Sequence, residues 1–115
     1  MRNNDKLLLG DSDDLQIYHD GSDAIIKESG SGGLLFSGNT FNVKNAGNSE
    51  WMIFAQEDQG VKLYYDNNIK FETLNGGAIV RGDLEVTEDL QVNDNLTVND
   101  NANFAGNTVQ ISSNT

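Results

Sequence analysis

DLEVTEDLQVNDNLTVNDNANF, residues 83–104, is the stretch that decides how this chain is read. Its apolar residues stand in pairs two positions apart, and the pairs return at an interval of six: Leu84 and Val86, Leu90 and Val92, Leu96 and Val98, Ala102 and Phe104. Apolar–polar–apolar is the alternation of a short strand with one buried face. Between the pairs lie Thr87-Glu88-Asp89, Asn93-Asp94-Asn95 and Asn99-Asp100-Asn101, rich in the residues that let a chain bend. After Gly106 the phase slips by one, to Val109-Gln110-Ile111, as happens where a repeat array is capped or changes geometry.

A hexad with one strand and one corner suits a triangular β-prism. A single chain would need about three hexads per coil, and several coils, before such a stack became stable. Fewer than two coils are present. Three chains running in parallel remove the shortfall, because each supplies one side of every layer. Leu84, Val86, Leu90, Val92, Leu96, Val98 and Phe104 then meet around the threefold axis as a shared core. The expectation for residues 82–115 is thus a triple-stranded, β-helix-like stalk in a parallel homotrimer. The competing arrangement is a two-stranded meander packed on the rest of the chain.

Residues 1–81 read differently. Strand-like runs of a few residues are punctuated by Asp, Asn, Gly and Ser, and no window keeps apolar residues at helical spacing over three turns. The runs include Leu7-Leu8-Leu9, Leu15-Gln16-Ile17-Tyr18-His19, Ala24-Ile25-Ile26-Lys27, Leu34-Leu35-Phe36 and Phe41-Asn42-Val43. Trp51-Met52-Ile53-Phe54-Ala55 is the most apolar and is expected to be the best-buried strand, with Trp51 and Phe54 in the core. Leu15–Ser22 aligns with Val61–Asn68: an apolar–polar–apolar–Tyr–aromatic strand, then a two-residue turn, Asp20-Gly21 or Asp66-Asn67. Ile69–Thr73 would pair back after the second copy. This half is expected to be a duplicated β-hairpin or meander region, and the class all-β.

The 115 residues carry 18 acids against 7 bases, a net charge of −11, and are 37% hydrophobic. So little apolar material suggests a core completed by other chains. Phosphate backbones need Lys and Arg clusters, so nucleic acid is not an expected partner. No apolar run approaches a membrane span, and Met1-Arg2-Asn3-Asn4-Asp5 lacks a signal peptide's apolar core. With no Cys there is no disulfide, thiolate nucleophile or thiolate metal site.

Individual residues offer little chemistry. His19, the lone histidine, has only its neighbour Asp20 as a partner, and is at best a weak metal candidate through three copies on an axis. Asp11, Asp13 and Asp14, like Glu57 and Asp58, lack the ligand spacing of a calcium loop and read as solvated turns. Glu28, Glu72 and the hexad acids would pair at glycosidase spacing only by chance, and the chain is too short for a long concave β-helix. No enzyme, cofactor or resident metal is expected. Alternation places Tyr18 and its counterpart Tyr64 with Gln16 and Lys62, away from the apolar set, as candidate receptor contacts.

LQIYHDGSDAIIKE (15–28), VKLYYDNNIKFET (61–73) and GDLEVTEDLQVNDNLTV (82–98) resemble repeats in tail fibres and other virion structural proteins of tailed bacteriophages, most familiar from marine cyanophages. The likeness runs from about Lys6 to Ile111. It implies a trimeric, elongated β-structure in the virion tail, assembled in the host cytoplasm, contacting other tail proteins and contributing to host attachment. It carries over no binding residue. Such fibres are much longer, which makes this chain a fragment or a small fibre component. The alternative expectation is a module that itself binds a cell-surface glycan through the hairpin half.

Overall fold

A computed structural model of the chain describes residues 2–106 and 108–113. It is all-β: two antiparallel sheets and no helix among the described residues. The chain divides into two units, Met1–Asp83 and Leu84–Thr115.

The first sheet is three-stranded, β1 (Lys6–Leu9), β2 (Leu15–His19) and β3 (Ala24–Glu28), in that order. The β1–β2 connection needs left-handed backbone at Gly10 (φ 96°) and Asp13 (φ 56°). Between β2 and β3 the Asp20 carboxylate accepts the N–H groups of Ser22 and Asp23, both at 2.8 Å, and Asp20 N–H bonds Asp23 C=O at 3.1 Å. The turn therefore centres on Gly21-Ser22, one residue later than expected. Asp20 acts as its cap rather than as a central residue.

The second sheet is a five-stranded meander of β4 (Thr40–Lys44), β5 (Trp51–Gln56), β6 (Gly60–Tyr65), β7 (Asn68–Leu74) and β8 (Gly77–Val80). At the β6–β7 turn Asp66 (φ 48°) and Asn67 (φ 58°) are both left-handed, which matches the twist of a two-residue hairpin. The β4–β5 turn closes on Asn45, whose Oδ1 accepts the N–H groups of Ser49 (2.9 Å) and Glu50 (3.1 Å). β8 was not anticipated, although Ala78-Ile79-Val80 after Gly76-Gly77 carries a strand signal. Leu34-Leu35-Phe36, by contrast, forms no strand. It has no neighbour to pair with, and Phe36 rests its ring 5.8 Å from that of Phe41.

No hydrophobic residue of the described chain is buried; the one buried residue is Glu72, 6% exposed. Trp51, Ile53, Phe54 and Ala55 are half-buried, and Trp51 and Phe54 enter no closed core. With no hydrophobic residue buried among the described residues, neither sheet has a face closed into a core.

Residues 84–106 and 108–113 contain no strand and form no backbone–backbone hydrogen bond with one another. Their order is a repeat of bends, at Thr87-Glu88, Asn93-Asp94 and Asn99-Asp100, spaced by six. The meander alternative is not formed. Hexads with a strand sequence stay single-stranded because this chain offers them no ladder.

Candidate functional site

The sites this protein offers are faces rather than clefts, and pairing register builds them. In the first sheet Leu7, Ile17 and Ile26 lie directly across from one another, with Leu9 and Leu15 beside them on the same face. In the second sheet Val43, Ile53, Leu63, Phe71 and Val80 form one uninterrupted apolar row across all five strands. Phe41, Ala55 and Val61 make a second row beside it. The two copies of the duplicated strand agree: Leu15 and Ile17 occupy the apolar face as Val61 and Leu63 do.

The opposite faces carry the lysines. Lys6 lies across from Tyr18, and Gln16 from Lys27; the Lys6 ammonium sits 4.6 Å from the Tyr18 ring centroid and donates to Gln16 Oε1 at 2.9 Å. In the second sheet Phe54 is paired with Lys62 and Lys62 with Glu72. A register shift after Val43 makes Trp51, not Met52, the partner of Lys44. The bulge turns the indole toward Phe54, and the two rings meet edge to face at 5.2 Å. The Trp51 backbone N–H, beyond the end of the β5–β6 ladder, donates at 3.0 Å to Asn67 Oδ1 from the β6–β7 turn. Lys44 then covers the Trp51 ring at 4.6 Å and Lys62 the Phe54 ring at 5.8 Å. Glu72 is neutralised by Arg81, which follows β8 and forms the one ion pair among the described residues.

Tyr18 and Tyr64 stand on these lysine-bearing faces with Gln16 and Lys62, and both are half-buried rather than free. His19 is on the apolar side with Leu15 and Ile17. Its Nδ1 accepts the Gly21 N–H at 3.0 Å, across the β2–β3 turn. Asp13 and Asp58 lie in turns with left-handed backbone. Glu28 is engaged by Gly30 N–H at 2.7 Å and belongs to a different sheet from Glu72. Among the described residues no three His, Asp or Glu side chains are grouped to hold a metal ion.

The hexad residues are exposed in a regular way: Leu84, Leu90 and Leu96 by 64–67%, Val86, Val92 and Val98 by 42–50%, and Phe104 by 69%. Each turn of the repeat presents the same two apolar side chains. The clustering of lysines was missed from the sequence, where Lys6, Lys27, Lys44 and Lys62 are scattered; the signal was their strand position opposite the apolar set. Comparison with protein-family models, with curated proteins and with solved structures returns no match.

Proposed function

We propose that this chain is a structural segment of a trimeric phage tail fibre, contributing to virion assembly and host attachment. The observation that carries the reading is the unfinished core. An apolar row crosses a whole five-stranded sheet, yet no hydrophobic residue is buried among the described residues. Exposed apolar surface of this extent is a mark of association. The periodic bends of residues 84–106, whose strand-like segments have no ladder within the chain, support a partner of the same period, and a second and third copy have it. Three chains in parallel would join the hexads into a triangular prism and bring Leu84, Leu90 and Leu96 to its axis. The tail-fibre assignment itself rests on the resemblance of the two hairpins and the hexads to virion repeats. The function in this reading is spacing and orientation rather than chemistry.

Light scattering coupled to size exclusion tests the oligomer. The expected mass is three times 12.5 kDa. A folded monomer would sink the shared core and leave the hexads without a role. Immunogold labelling of virions on the tail, and its absence there, decides the location.

A further inference from the structure

We propose that the lysine-bearing face of the five-stranded sheet binds an anionic polysaccharide, with Lys44 and Lys62 as the charge contacts. The inference rests on the trimer reading in one respect: with the apolar face turned inward, this face is the one left to solvent, three times over.

The argument begins from charge placement. The chain is strongly acidic, yet its acids sit mainly in turns and in the hexad region. All five of its lysines lie within strands, and four of them, Lys6, Lys27, Lys44 and Lys62, are on the faces opposite the apolar rows. On the larger sheet the one facing carboxylate in register, Glu72, is already consumed by Arg81. With 18 acids to choose from, Lys44 and Lys62 are nonetheless held over aromatic rings and have no acidic partner among the described residues. A ring positions an ammonium without neutralising it. The result is two fixed, unspent positive charges on an otherwise negative molecule. They flank β5 two strand spacings apart, roughly 10 Å across the sheet, and are offset along it, Lys44 lying opposite Trp51 and Lys62 opposite Phe54. A flexible polymer bearing carboxylates at intervals along an apolar-faced sugar chain matches two separated ammoniums beside half-buried Trp51 and Phe54. Nucleic acid matches it poorly, because two charges per chain give little counterion release.

The test uses the full chain and two probes, alginate as a polyuronate and dextran as a neutral control, in affinity electrophoresis at low ionic strength. Alginate is expected to retard the protein and dextran not, with retardation lost as salt is raised. The double change Lys44→Gln and Lys62→Gln, which keeps chain length and hydrogen bonding, is expected to weaken alginate binding roughly tenfold, about 1.4 kcal/mol. Arg2→Gln, outside the strands, is expected to leave it unchanged. Light scattering on each variant separates failures. A trimer that ignores alginate, or a double variant that binds as the parent does, overturns this inference and leaves the trimer standing. A monomer overturns the trimer first. Should the double variant lose the parent mass, Lys44→Gln alone serves, with at least a twofold loss required. Equal retardation by polyglutamate would reassign the face to an acidic peptide and overturn the polysaccharide.

Discussion

At Gly60 the chain passes so close to β7 that a Cβ would stand 2.5 Å from the Thr73 carbonyl oxygen, and its φ is 89°. Gly60→Ala therefore meets both a backbone clash and left-handed strain, and should cost about 1–3 kcal/mol in chemical denaturation. A second single-residue dependence is Glu72, whose burial is tolerable because Arg81 answers its charge. Arg81→Ala should destabilise by about 1–3 kcal/mol, whereas Glu72→Gln in the Arg81→Ala background should recover part of the loss, since the uncompensated charge is gone. Asp20 supplies a pH dependence. Hydrogen bonds from the Asp23 and Ser22 N–H groups hold its carboxyl below the ordinary 3.8. A depressed folded-state pKa means that the carboxylate stabilises the fold above the ordinary value, and that this contribution disappears as pH falls through the lower one. Asp20→Asn, which keeps an acceptor for both N–H groups, should flatten the acid side of a melting-temperature profile below the ordinary carboxyl value of 3.8.

At the scale of elements the hexads and the sheets answer to different rules. Leu90→Asp would place three charges on the proposed axis and should abolish association, read as loss of the high-mass species. An unchanged mass would mean that the leucines do not face one another. A cut after Asn75 should cost more than the hexads, because it removes β8 and Arg81 and so strands Glu72; the cut that spares the sheet falls after Asp83. Strand existence was legible because alternation and turn residues are local properties: β2, β6 and β7 follow from Leu15–His19, Val61–Tyr65 and Ile69–Thr73. What stayed hidden depends on register. Trp51 reads as core by hydropathy, yet a bulge and the Asn67 side chain place it under Lys44, and nothing in the pentapeptide around it announces either. The two lysines whose environment most distinguishes this surface were illegible for the same reason, since they become neighbours of the aromatic pair only once three strands are aligned.

For the molecule as a whole, charge and apolar surface oppose each other. Three copies would carry 3 × −11 = −33, and the repulsion is screened as the Debye length falls from about 10 Å at 0.1 M salt to about 3 Å at 1 M. The trimer should therefore melt at a higher temperature in concentrated salt, the opposite trend to that expected for polysaccharide retention, so the two can be told apart in one titration series. The bends of residues 84–106 carry a further consequence. Because every six residues restore the same conformation, length becomes a quantised trait. Insertions or deletions of whole six-codon blocks, such as loss of residues 89–94, would shorten the repeat and leave everything downstream in phase. Removing Asn93 alone would act like a frameshift written in shape, sending each later leucine to the wrong side. Recombination among genes built this way could tune reach without redesigning contacts.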